Sequence, residues 1–274
     1  MKKQDYLVFV EILLAVGNLV TGAPTDGLRI FGGQDAAPGQ FPYIVSIQQC
    51  GLFTCEHYCG GSILAPSWIL TAGHCYSYGP KYQVVAGIQN ISEKSEWRQT
   101  VAVDKFHVHE KYIGNVNPND IALIKLEEPL TYSDRVQPIP LPEPNSFYSG
   151  DAVVSGWGQI SGNFFSIYPD TLQFQKSTVL TNDECMALIE AKLHGQRNPY
   201  DVNSNVCTGN PVSHRGICSG DSGGPVVGEG VVVGLASYSF IPCGQAAAPS
   251  VFTRVSNFID WIHDHMNSTN ATMY

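Results

Sequence analysis

From Pro42 onward the chain is a succession of short runs rich in Val, Ile, Tyr and Phe, each bounded by Gly, Pro, Asn or Ser. The runs are 43–48, 62–71, 82–87, 100–107, 121–126, 151–156, 172–179, 225–227 and 231–237. β-branched and aromatic residues suit the pleated strand, and the bounding residues suit turns. Regular spacing without intervening helices leaves antiparallel barrels or sandwiches as the fold. The 27 Gly and 17 Pro fit many turns, and 274 residues at 43% hydrophobic are enough for a large core. Length alone allows one domain or two. Only two stretches read as helix. Thr181-Asn-Asp-Glu184 is a capping box, with a helical pattern to about His194. Ser256 is placed to cap a terminal helix to Met266, whose stripe of Phe258, Ile259 and Ile262 packs on the barrel.

The N-terminus has the form of a secretory signal. Lys2 and Lys3 precede an apolar stretch from Tyr6 to Val20, followed by the small residues Thr21, Gly22 and Ala23. Glu11 interrupts the stretch, which argues against a membrane span needing about 20 mostly apolar residues. We therefore expect a signal peptide over 1–22 and a secreted, extracellular protein. The eight cysteines, Cys50, Cys55, Cys59, Cys75, Cys185, Cys207, Cys218 and Cys243, then read as four disulfides. Spacing alone allows about 105 pairings. The segment Cys55-Glu-His-Tyr-Cys59 also has a metal-binding form, with His57 between two thiols, but disulfides are favoured in an oxidising compartment. Asn90, Asn267 and Asn270 open N-glycosylation sequons. The net charge is −9 and no basic cluster is present, which argues against nucleic acid or an anionic membrane as partner.

Three motifs carry chemistry. In Gly220-Asp-Ser-Gly-Gly-Pro225, glycines around a serine let backbone N–H groups converge on one point, which is what a serine nucleophile needs beside it. The plain alternative is a Gly-Ser turn. The same residues match the Gly-x-Ser-x-Gly elbow of lipases and esterases, but no apolar strand precedes them and no helix follows. In Leu70-Thr-Ala-Gly-His-Cys75, His74 is a general base suited to neutral pH. His107 and His109 share one strand face as a weak two-ligand pattern without an obvious third ligand, and His263 and His265 do not face each other on a helix. In Asn119-Asp-Ile-Ala-Leu-Ile-Lys-Leu126, Asp120 opens an apolar strand; if buried it needs donors, and a histidine N–H is a good one. The plain reading is a turn aspartate.

With Ile30-Phe-Gly-Gly33, Gly60-Gly-Ser-Ile-Leu64, Gly156-Trp-Gly158 and Val251-Phe-Thr-Arg-Val255, these motifs resemble the trypsin/chymotrypsin family of serine peptidases, from Ile30 to about Met266. The order His, Asp, Ser is that family's. The resemblance implies an all-β fold of two packed six-stranded antiparallel β-barrels with a C-terminal helix and the active site between the barrels. It implies His74, Asp120 and Ser222 as catalytic triad, Gly220 and Ser222 N–H groups as oxyanion hole, and Ser237 as support for Asp120. It implies Cys59–Cys75, Cys185–Cys207 and Cys218–Cys243 as disulfides. Cys50 and Cys55 have no counterpart in the common pattern and would then pair with each other. A short propeptide over 23–29 would be cut at Arg29–Ile30, and the new amine would pair with Asp221. The peptidase domain would run over 30–274.

The departures from the family pattern concern specificity. Gly216 stands at the pocket base where trypsins place an aspartate, and Ser239 and Ser250 stand at wall positions that are usually glycine. Arg215 is adjacent in sequence and is expected to face solvent. The expectation is cleavage after uncharged apolar or aromatic residues, in a chymotrypsin-like or elastase-like manner. Phe31 replaces the usual valine, and Tyr238 a tryptophan. Ile88 replaces a calcium-binding glutamate, so no metal and no cofactor are expected. Protein or peptide substrates, an activating trypsin-like peptidase, protein inhibitors and a monomeric state are expected. The short propeptide and the lack of accessory domains favour a digestive role over a cascade or venom peptidase. The alternative of another class is a catalytically inactive homologue acting as a binding protein.

Overall fold

The computed structural model describes residues 33–160, 167–209, 216–244 and 248–268. The signal segment, Arg29, Ile30, Phe31, Arg215 and Asn270 lie outside them. Among the described residues no helix is long and apolar enough to cross a membrane.

Six strands close the first barrel: β2 (Ile44–Cys50), β3 (Cys55–Ala65), β4 (Trp68–Thr71), β5 (Lys81–Ala86), β6 (Gln99–Val108) and β7 (Ala122–Leu126). The order around it is β2-β3-β4-β7-β6-β5. Closure leaves no unpaired sheet edge. The second sheet contains β1 (Gln34–Asp35), β8 (Gly150–Gly156), β9 (Gln173–Val179), β10 (Asn205–Thr208), β11 (Pro225–Gly228), β12 (Val231–Ser239) and β13 (Ser250–Arg254). Its order is β1-β9-β10-β13-β12-β11-β8, and a β8–β9 pairing closes six of these strands into the second barrel, with β1 appended. All the pairings are antiparallel.

Each barrel has its own core. Val45, Ile47, Ile63, Ile69, Val84 and Ile124 fill the first. Val154, Val206, Val226, Val233 and Phe252 fill the second. A third cluster joins them: Leu70, Ile121 and Leu123 of the first barrel meet Val232 and Leu235 of the second, together with Phe258, Ile259 and Ile262. The segments that reach the barrel junction, at Thr71, Asp120 and Ser237, are therefore held by buried apolar contacts rather than by flexible loops.

The run 62–71 is not one strand. It is the end of β3 and all of β4, turned at Pro66-Ser67, with Ala65 paired to Trp68. Proline supplies the turn backbone and no ladder donor. Helix α1 (Asn182–Leu193) carries the capping box, with the Glu184 N–H donating to Thr181 Oγ1. Ser256 does not cap the last helix. It lies within a 3₁₀ turn over Val255–Phe258, and α2 runs over Ile259–Ser268. The Ser256 hydroxyl donates instead to the Ser146 carbonyl at 2.6 Å, so tertiary contact took the side chain that local capping would have used.

Candidate active site

His74 sits in a 3₁₀ turn over Gly73–Cys75, directly after β4. Asp120 directly precedes Ile121 and β7, the strand paired with β4, with Thr71 opposite Ala122. This pairing is what brings residues 46 positions apart into contact. Asp120 is 1% exposed and accepts three hydrogen bonds. The His74 N–H reaches one oxygen at 2.9 Å; His74 Nδ1 and Ser237 Oγ reach the other at 2.7 and 2.6 Å. Three donors meet the hydrogen-bonding requirement of a buried carboxylate. Because Nδ1 donates to Asp120, the lone pair of a neutral His74 ring is on Nε2. The Thr253 hydroxyl fixes the Asp120 backbone by donating to its carbonyl at 2.7 Å.

Ser222 comes from the second barrel, on the tight turn before β11. Its carbonyl accepts from the Gly60 N–H on β3 at 2.8 Å, so the turn is fastened across the barrel junction. Two glycines of the motif have left-handed backbone: Gly220 at φ +95° and Gly223 at φ +72°. A Cβ on Gly223 would lie 2.1 Å from Thr71 Oγ1 and 2.8 Å from the Gly60 carbonyl. A side chain there is excluded on both grounds. The N–H groups of Asp221, Gly223 and Gly224 are bonded to Cys218, Ala236 and Asp221 carbonyls. Among the described residues those of Gly220 and Ser222 are not so engaged. The half-buried Ser222 hydroxyl makes no hydrogen bond to His74 among the described residues, so the structure joins His74, Asp120 and Ser237 in one chain of which Ser222 is not a part.

Asp221 is buried, and its carboxylate accepts from the Gly158 and Cys218 N–H groups at 2.8 and 2.9 Å. Burial pushes its pKa up to about 6, against the lowering effect of those two bonds.

One pair of residues at this site was not anticipated from sequence. His57 is not a metal ligand between thiols: Cys55 is bonded to Cys50 and Cys59 to Cys75. Its Nδ1 lies 2.8 Å from Ser46 Oγ and its Nε2 2.9 Å from the Gly220 carbonyl. A carbonyl only accepts, so Nε2 carries the proton and Nδ1 accepts from Ser46. His57 thereby holds the peptide that follows Gly220. Burial lowers its pKa to about 4, opposed by the Gly220 bond, so the ring is neutral near pH 7. The readable signal was strand alternation, with Glu56 and Tyr58 exposed and His57 between them turned inward.

A pH test follows. The folded pKa of His57 is depressed below the ordinary 6.5, so as pH falls from 6.5 toward 4 the unfolded chain takes up a proton that the folded chain refuses. Its stabilising contribution is therefore present above pH 6.5 and fades on acidification. A His57→Gln protein should be destabilised at pH 7, and its deficit against wild type should shrink by on the order of 2 kcal/mol at about pH 4.5. Urea midpoints at the two pH values test this; a deficit that does not change with pH contradicts it.

At the pocket position, Gly216 is buried and Ser250 Oγ accepts from the Ile217 N–H at 3.0 Å. A Cβ on Gly216 would lie 2.9 Å from that same hydroxyl. Ser239 is paired with Ser250 across β12 and β13. Cys218–Cys243 and Cys185–Cys207 are the remaining disulfides. Asn90 Oδ1 accepts from the Ser92 N–H, and Asn267 is exposed. His107 packs on Trp68 and His265, and His109 on Phe258 and Trp261.

A model of the trypsin family matches residues 30–262. The chain is 36% identical over 245 residues to Trypsin-1 of Astacus astacus, covering 85% of this chain and 98% of the relative. It is 34% identical to Trypsin I-P38 of Gallus gallus, over 96% of this chain and 99% of the relative. It is 34% identical to the Trypsin of Sus scrofa, over 87% and 96%.

Proposed function

The chain belongs to the trypsin family of serine peptidases and is a serine endopeptidase, and from that premise we propose a secreted precursor, cut at Arg29–Ile30, whose active form cleaves after uncharged residues. Its parts are a signal peptide over 1–22, a propeptide over 23–29 and a peptidase domain over 30–274. A digestive role fits the short propeptide.

Ser222 is the proposed nucleophile, His74 the base and Asp120 the group that fixes His74. The observation that supports these roles is the chain Ser237–Asp120–His74, which presents Nε2 of His74 as the acceptor. Ser222 Oγ attacks the peptide carbonyl as its proton passes to Nε2. The Gly220 and Ser222 N–H groups receive the negative charge that develops on the carbonyl oxygen. The imidazolium, stabilised by Asp120, then gives the proton to the leaving amine, and water repeats the sequence to release the acyl group. A Ser222–His74 hydrogen bond forms as substrate binds, as is common where the free enzyme has a looser geometry.

The pocket supports an uncharged preference. Gly216 brings no charge, and Ser250 lays a hydroxyl against the base, already engaged by the Ile217 N–H. A cationic side chain there would be desolvated without a partner. The activated protein should therefore show a higher kcat/KM on substrates with Phe or Leu before the cut than on the matched Arg substrate. If Arg is the best of Arg, Phe, Leu and Ala, the pocket reading is wrong. It also follows that activation at Arg29 needs a separate trypsin-like peptidase.

A further inference from the structure

The C-terminal helix meets the first barrel through a group of polar rings that the proposed mechanism does not use. His107 lies in β6 and Glu110 just beyond its end, while Trp261 and His265 are one turn apart on α2. The rings of His107 and His265 are 5.4 Å apart between centroids, at 73° to each other. His265 also packs on Trp261 at 4.5 Å. In the sequence, His107 and His109 formed a two-ligand pattern without a third member. The structure draws His109 away from it: Nδ1 accepts from the Lys111 N–H at 3.2 Å, and the ring packs on Phe258 and Trp261. In its place stand His265 and Glu110.

His265 is arranged as a ligand. Its Nδ1 lies 2.9 Å from the Trp261 carbonyl. A carbonyl only accepts, so Nδ1 carries the proton and the lone pair of the neutral ring is on Nε2. That Nε2 lies 3.5 Å from Glu110 Oε1. The Trp261 indole N–H donates to both Glu110 oxygens, at 3.1 and 3.3 Å, and so holds the carboxylate in place. A lone pair and a carboxylate that face each other repel unless a cation lies between them. That cation is a proton or a metal ion. His107 favours the metal: its Nε2 is buried and has no hydrogen-bond partner among the described residues, and a coordinate bond satisfies it. A histidine whose far N–H is held by a carbonyl, beside a carboxylate held by its own donor, has the support that metal ligands need.

We infer that His107, His265 and Glu110 form a site for Zn²⁺ or a similar divalent ion, with water as the fourth ligand, and that the ion clips α2 to β6. Two imidazole nitrogens and one carboxylate oxygen are a zinc donor set. With bonds of about 2.1 Å in a tetrahedron, two ligand atoms are roughly 3.4 Å apart and two coordinated imidazole centroids roughly 5.2 Å. The observed 3.5 and 5.4 Å are close to both. The three ligand atoms do not all lie within 4.8 Å of one another, so a turn of the His107 ring or a swing of the exposed Glu110 completes the site as the ion binds. The tighter group of Cys59, His74 and Cys75 is not a rival, because its two sulfurs are bonded to each other.

The test titrates Zn²⁺ into the full chain, first stripped of metal by a chelator, and follows binding heat and Tm. One ion per chain should bind, and at about 100 times its Kd the Tm should rise by about 5–10 °C. Co²⁺ in place of Zn²⁺ should give the visible bands of a tetrahedral site. His265→Gln and Glu110→Gln should each weaken binding by about tenfold or more, and Trp261→Phe, which removes only the indole donor, by about tenfold. His263→Gln, on the same helix, should bind as wild type does. Glu110 is exposed, so its variant should keep the metal-free urea midpoint and decide the matter even if a histidine variant fails to fold. A wild type that takes up no Zn²⁺ overturns the inference and leaves Glu110 and His265 sharing a proton. So does binding that survives both His265→Gln and Glu110→Gln, or that is lost in His74→Ala, which moves the ion to the triad.

Discussion

Ser222→Ala should abolish peptide turnover, by about 10⁵–10⁶ in kcat, and leave stability within about 0.5 kcal/mol of wild type. The first magnitude is that of triads in other serine peptidases. The second rests on the structure: the Ser222 hydroxyl is half-buried and makes no hydrogen bond to His74 among the described residues, so its loss removes chemistry and almost no contact. Asp120→Asn should cost on the order of 10⁴, again as in this family. The cause is visible in the hydrogen bonds. Asp120 accepts from both His74 Nδ1 and Ser237 Oγ through one oxygen. An amide nitrogen there turns Nδ1 into an acceptor, moves the ring proton to Nε2, and removes the base that Ser222 needs. His74→Ala should fall with Ser222→Ala, because the two act as one unit. Steady-state rates beside urea midpoints separate these effects, and a His74→Ala protein with near-normal turnover at neutral pH contradicts the triad.

The second large effect is expected at Arg29–Ile30. Asp221 is a buried carboxylate with two backbone donors, and among the described residues no cationic side chain pairs with it. Burial without a counter-charge is what raises its pKa to about 6. In the proposed activation, the α-ammonium freed at Ile30 is the group that supplies the missing charge. Asp221 lies between Gly220 and Ser222, so ordering it orders both N–H groups proposed to hold the oxyanion. Leaving a buried charge of this kind unpaired costs about 3–5 kcal/mol, which corresponds to roughly 10² to several thousand-fold in the population of the ordered form. Full-length protein, and an Arg29→Gln variant exposed to a trypsin-like activator, should be slower than protein beginning at Ile30 by a factor of that size. Equal rates for cut and uncut chains contradict it.

Local signals in the sequence carried over to the structure where the cause was local. The apolar, β-branched runs at 82–87 and 121–126 mark β5 and β7, and Thr181 with Glu184 marks the start of α1 through a hydrogen-bonded capping box. The misses are non-local. β10 and β13 pair residues about fifty positions apart, such as Asn205 with Thr253, and their worth lies in burial against Phe252 rather than in any pattern within four or five residues. β1 is two residues long and exists only by its pairing with Phe174 and Gln173. Ser256 has the composition of a cap but spends its hydroxyl on Ser146.

The site divides the same way. His74, Asp120 and Ser222 stood out by motif and chain order. Nothing in the one-dimensional pattern placed His57 against Gly220, because Ser46, His57 and Gly220 meet only when the barrels pack. Gly216 as the proposed specificity position rests on a charge missing from the sequence pattern, whereas the engagement of Ser250 with the Ile217 N–H depends on how β13 and the segment before Ser222 meet in space.

The central claim is that Ser222 is an activated nucleophile, and covalent labelling tests it most directly. Protein beginning at Ile30 is incubated with a serine-directed phosphonate carrying a small uncharged side chain, digested, and mapped by mass spectrometry. One adduct per chain is predicted, on the peptide containing Ser222, absent from Ser222→Ala and strongly slowed in His74→Ala. A chain that takes no label, or takes it equally after Ser222→Ala, contradicts the assignment of Ser222.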